Sequence, residues 1–149
     1  FTTRADFEGK IAAGEVLEYT EYLGNYYGTL RSEVERLLGE GRDVILEIEV
    51  EGAAQIKRSF PDSVAVMLIP PDSTTLERRL RGRGTETEEV ILRRLERARE
   101  ELKSVGAYDY VVINGEGEVE RCAGSIRSII EAEHCSRTRM EETVGGFFG

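Results

Sequence analysis

Three short runs rich in β-branched and apolar residues, DVILEIEV (43–50), SVAVMLIP (63–70) and YDYVVIN (108–114), recur along the chain with helical patterns between them. Strands separated by stretches long enough for a helical crossover pair in parallel, so this alternation predicts an open α/β fold with a mostly parallel sheet. The apolar density of 43–50 predicts a strand buried on both faces, with Glu47 and Glu49 interrupting it near its carboxyl end. Pro70-Pro71 ends the second strand and a polar loop follows the third. Between the strands, Val34, Leu37 and Leu38 predict a helix over 30–40, EGAAQIKRSF a short one, and further helices fall near 74–80 and 88–103. Val119, Cys122, Ala123, Ile126, Ile129 and Ile130 give one apolar face to a last helix, and GGFFG reads as a loose tail.

The amino-terminal part follows a different pattern. Phe7 and Ile11 predict a short helix over 6–13, capped by Asp6 and closed at Gly14. VLEYTEYL (16–23) then alternates with period two, and Gly24-Asn25 turns the chain into a second extended piece, which makes a small antiparallel insertion.

The 149 residues fit one domain, and 40% apolar with 33% charged residues describes an ordinary folded chain. The net charge of −9 argues against bulk nucleic-acid binding, which rests on basic patches pairing phosphates. No run approaches the ~18 consecutive apolar residues of a membrane span, so no membrane partner is expected and the cytoplasm is the expected location. Cys122 and Cys135 read as free thiols, and His134 beside Cys135 makes a poor metal site without a second pair of ligands.

Against that acidic background, RRLRGRGTETEEVILRRL (78–95) gathers six arginines in eighteen residues. A helical hairpin laced with exposed Arg–Glu pairs is one explanation. RGRG, however, sets arginines between glycines where no helix needs them, while TETEE offers a capped helix start through Thr87. Arginine forks bind phosphate oxygens two at a time, so the same segment suits an anionic nucleotide. GNYYGT (24–29) adds hydroxyls for a phosphate and a base edge, and the nearby Glu18 carboxylate could take the paired N–H donors that guanine presents.

GNYYGT, VILEIEVEGA, LIPP, RRLRGRGTETEE, RRL and YDYVVIN occur in the order and spacing of one family: from residue 1 to about 139 the chain resembles guanylate kinase. The resemblance implies a P-loop kinase-type α/β fold with a GMP-binding insertion (about 1–30), a core (about 31–72 and 105–139) and a helical lid (about 73–104). It implies transfer of the terminal phosphoryl group of ATP to GMP, with Mg²⁺ accompanying ATP, in purine nucleotide metabolism. Glu18 and Glu49 would read the guanine edge, Thr29 its carbonyl oxygen, and Tyr27 the GMP phosphate. Glu47 would sit near the metal and its waters. Arg79, Arg83 and Arg94 would close over the phosphates, Arg79 and Arg83 also binding ATP, and Asn114 would lie beside the adenine. Glu49 stands where many members have Asp, and Glu51 where many have Gln.

The family's P-loop pattern, G-x-x-x-x-G-K-[ST], does not occur in the 149 residues; EGKIAAG (8–14) lacks its upstream glycine and its closing hydroxyl residue. Without the first strand, 44–50 is expected to lack a neighbour and expose an apolar face. These residues alone are expected to have no useful kinase activity. The alternative is a non-catalytic guanylate kinase-like module that holds GMP or a phosphopeptide.

Overall fold

A computed structural model describes residues 2–22, 24–82, 84 and 86–147, which form two compact units, Phe1–Ala65 and Val66–Gly149.

The first unit begins with helix α1 (Arg4–Ala12). Its cap is Thr3, not Asp6: Thr3 has extended backbone and its hydroxyl oxygen accepts the Asp6 N–H at 3.2 Å, while the same hydroxyl donates to Asp6 Oδ2 at 2.6 Å. Asp6 is already helical, so its carboxylate can only support the cap from three residues on. Gly14, at φ 70°, ends the helix in the left-handed region that glycine enters without steric penalty.

Strands β1 (Val16–Tyr22) and β2 (Asn25–Leu30) pair antiparallel, with Glu18 opposite Thr29 and Thr20 opposite Tyr27. The register shifts between Val16 and Glu18. A regular strand would send successive side chains to opposite faces; the irregularity lets Leu17 and Glu18 both be buried. Tyr26 stacks on Phe7 with ring centroids 5.3 Å apart, and the Arg4 guanidinium lies 4.6 Å from the Tyr26 centroid, which fastens α1 to the hairpin.

Helix α2 (Arg31–Gly39) buries Val34, and α3 (Val50–Ser59) packs on β1. Between them the expected strand over 43–50 is absent: 42–49 carry no strand pairing, Val50 already belongs to α3, and Ile45 is 72% exposed. A strand is defined by a neighbour that takes its backbone hydrogen bonds, and among the described residues none pairs with this stretch.

In the second unit β3 (Val66–Ile69) and β4 (Tyr110–Ile113) pair in parallel, Met67 beside Val111 and Leu68 beside Val112. The Asn114 N–H extends the ladder to the Ile69 carbonyl at 2.8 Å. Helices α4 (Ser73–Gly82) and α5 (Glu88–Leu102) and a 3₁₀ turn (Lys103–Ala107) form the crossover, and α6 (Val119–His134) packs against β4. Met67, Leu80, Ile91, Val112 and Cys122 are buried. Thr87 does occupy the cap position of α5, but its side chain makes no capping bond there. A further helix, α7 (Arg137–Gly145), follows Ser136 where the sequence offers no apolar periodicity. Glu133 of α6 accepts from the Tyr110 hydroxyl at 2.6 Å and from Arg139 of α7 at 3.3 Å, linking three elements.

Ahead of α4, Asp72 Oδ1 accepts the Thr75 N–H at 2.6 Å, and that bond holds the Asp72 carboxyl below its ordinary range. A lowered folded-state value means that stabilisation is complete above about pH 4 and is lost as pH falls through the folded value. Asp72→Asn keeps a capping oxygen but no titration, so urea denaturation from about pH 6 to pH 3 should show a shallower acid loss in the variant; an unchanged acid limb would contradict this.

Candidate active site

The hairpin gathers the first group of residues. Because Glu18 and Thr29 are register partners, their side chains share one face, and Tyr27, two residues before Thr29, lies on that same face. Glu18 is only 6% exposed, an unusual position for a carboxylate. Thr29 Oγ1 donates to Glu18 Oε1 at 2.6 Å, so the buried acid has a partner while Tyr27 remains 56% exposed. Gly28 makes the approach possible: a Cβ there would fall 2.5 Å from the Glu18 carbonyl oxygen. Glu49 occupies the N-cap position of α3, the helix packed against β1, and Glu47 lies exposed two residues earlier.

The second unit joins two more expected residues. Arg79, on α4, donates from Nη2 to the Asn114 carbonyl at 2.8 Å, just beyond the end of β4. Arg94, on α5, pairs with Glu86 at 2.9 Å. Glu86 is largely buried, and its Oε2 has no hydrogen-bond partner among the described residues. Arg83 lies outside the described residues. The remaining arginines of the segment are ion-paired: Arg78 with Glu116, Arg81 with Glu77 and Glu88, and Arg93 with Glu89. The Glu88 and Glu77 carboxylates raise the Arg81 pKa further above its already high ordinary value. Both explanations of this segment therefore meet in one geometry: exposed Arg–Glu pairs contribute little to stability and can be exchanged for a more highly charged anion.

In the sequence Glu86 is only part of a polar helix start, and nothing local marks its link to Arg94. Gly28 stands inside the quoted GNYYGT motif, but its necessity shows only once the strands are paired.

Residues 1–133 match the sequence profile of the family described as guanylate kinase. The chain belongs to the guanylate kinase family. It is 49% identical over 147 residues to a guanylate kinase of Streptococcus thermophilus (strain CNRZ 1066), covering 99% of this chain and 68% of that one. It is 51% identical over 142 residues to a guanylate kinase of Lactococcus lactis subsp. lactis (strain IL1403), covering 95% of this chain and 68% of that one. The crystal structure of guanylate kinase from Anaplasma phagocytophilum superposes with a TM-score of 0.75 at 28% identity, over 99% of this chain and 73% of that one. Guanylate kinase membership makes the protein a phosphotransferase with the α/β fold expected from its alternating strands and helices. Among the described residues no helix is long and apolar enough to cross a membrane.

Proposed function

We propose that this guanylate kinase family member carries out the GMP half of the reaction ATP + GMP → ADP + GDP with the hairpin of its first unit and stabilises the moving phosphoryl group with the arginines of its second. The observation that carries the reading is the buried Glu18 carboxylate, held by Thr29 at 2.6 Å on the face that also bears Tyr27. Guanine offers two adjacent donors, N1–H and the 2-amino group, to a carboxylate with two acceptor oxygens. Adenine turns a bare ring nitrogen toward the same oxygens and is repelled.

Thr29 has one hydroxyl proton, and it is given to Glu18. To read the guanine carbonyl, that proton swings from Glu18 to the base as the base's own donors take its place on the carboxylate. Tyr27 can donate its hydroxyl to the GMP phosphate, and Glu49 at the start of α3 supplies a further acceptor for the base.

In the transfer step an oxygen of the GMP phosphate forms a bond to the γ-phosphorus of ATP, the bond from that phosphorus to the β–γ bridging oxygen breaks, and ADP departs with the electron pair. Such reactions ask the protein for positioning and for positive charge around the phosphoryl oxygens. Arg79 and Arg94 exchange the Asn114 carbonyl and Glu86 for phosphate oxygens, with Arg83 as the third member and Asn114 beside the adenine. Magnesium arriving with ATP supplies further charge neutralisation, and the exposed Glu47 carboxylate suits the waters of such a hard cation. GMP and ATP are thus the partners. A cytoplasmic setting goes with two free thiols, one buried and one exposed.

The 149 residues contain no G-x-x-x-x-G-K-[ST] cradle for the ATP phosphates, and alone they should give no useful turnover; measurable turnover would overturn that. A chimera with the P-loop-bearing segment of a guanylate kinase joined ahead of residue 1 should form ADP and GDP from ATP and GMP in a coupled assay. A chimera that folds and binds GMP yet transfers nothing would favour the binding-module reading instead.

A further inference from the structure

Helix α3 raises a question that its helical role does not answer. Gly52 is its third residue and its only buried one, yet its φ is not in the positive region. Glycine is the poorest helix former after proline, so a helical backbone alone would favour alanine there. The space around it supplies the reason: a Cβ on Gly52 would fall 3.0 Å from Glu18 Oε2 and 3.3 Å from Ile48 Cβ.

We infer that Gly52 is a positioning residue for guanine recognition, its missing side chain forming the seat against which the Glu18 carboxylate is set. This rests on the reading of Glu18 as the guanine acceptor. Before the base binds, the carboxylate is gripped from two sides. Thr29 holds Oε1 at 2.6 Å from the hairpin, and Oε2 lies against the first turn of α3, the positive end of that helix. Two parallel N–H···O bonds require both oxygens to stay in one plane with the base edge. A methyl group at Gly52 would force the neighbouring atoms to give by a few tenths of an ångström. Pushed from the Gly52 side, the carboxylate would tilt and one of its two bonds to guanine would be lost. Gly28 differs in kind: its contact is with the backbone carbonyl of Glu18, so substitution there would disturb the hairpin itself.

The test is calorimetry on the 149-residue chain with GMP and IMP, together with thermal melts, for wild type, Gly52→Ala, Glu18→Asp and the double variant. Gly52→Ala should melt no lower than wild type yet bind GMP roughly ten- to a hundred-fold more weakly, the loss expected for one charge-assisted hydrogen bond. IMP lacks the 2-amino group and needs only one of the two oxygens, so its affinity should fall less. Glu18→Asp, which withdraws the carboxylate by one methylene, should make room for the new methyl group, so the double variant should bind GMP better than the two single losses combine to predict. Wild type that binds GMP and Gly52→Ala that binds it equally would overturn this inference alone. Equal losses for GMP and IMP would do the same, as would a Gly52→Ala chain that does not fold, since the glycine would then serve the fold. Wild type without GMP affinity would overturn both this and the reading of Glu18.

Discussion

Replacing Glu18 with alanine should weaken GMP binding by roughly 10²–10⁴-fold, because two hydrogen bonds to a charged acceptor are worth about 1.5–3 kcal/mol each and ten-fold in affinity is about 1.4 kcal/mol. The size of the effect follows from where the group sits. An exposed carboxylate would be replaced by water with little loss, but Glu18 is buried and its neighbour Thr29 is already oriented toward it. Glu18→Gln should be nearly as damaging, since an amide turns a donor toward guanine's donors. In the P-loop-bearing chimera, KM for ATP should stay within about two-fold, as the residue makes no use of ATP in this account. Calorimetry for GMP and steady-state rates for ATP provide the two numbers. Comparable losses for both nucleotides would mean that Glu18 supports the fold rather than the base.

Arg94→Ala should lower kcat of the same chimera by about 10³-fold while leaving GMP affinity near wild type, the size and pattern of an arginine that acts on the moving phosphoryl group. Arg94 rests on Glu86, whose second oxygen has no partner among the described residues, so the pair is not a fully satisfied structural bridge. Removing the arginine costs transition-state charge and leaves Glu86 largely buried without its cation. Arg94→Lys should recover only part of the rate, because an ammonium cannot present the two-pronged fork. A variant with kcat within about three-fold of the parent would remove Arg94 from the mechanism and leave it as a lid ion pair.

How legible these features were depended on whether they were local. β3 and β4 follow from runs of Val, Ile, Leu and Met that need only each other, and their parallel pairing follows from the helices between them. DVILEIEV has the same composition but forms no strand, because strand formation is a relation with a neighbour; the expectation that it would lack one comes from the family pattern, not from its own composition. Asp6 and Thr3 are both good caps by type; which one serves depends on where helical backbone starts, a matter of two or three residues. The irregularity in β1 that buries Leu17 and Glu18 together breaks the alternation that makes a strand readable. Glu18, Thr29, Arg79 and Asn114 could be named as candidates from motifs, but the Thr29–Glu18 and Arg79–Asn114 bonds could not. Gly52 was hidden because an empty space leaves no trace in a sequence until the neighbouring carboxylate is placed.

The central claim, that Glu18 and Thr29 on one hairpin face read guanine, is tested most directly by titrating the isotopically labelled 149-residue chain with GMP and with AMP while following backbone amides by NMR. GMP should move the amides of Glu18, Thr29 and Gly52 in a saturable way, and AMP at the same concentrations should leave them in place. Shifts confined to other residues, or equal shifts with both nucleotides, would contradict it.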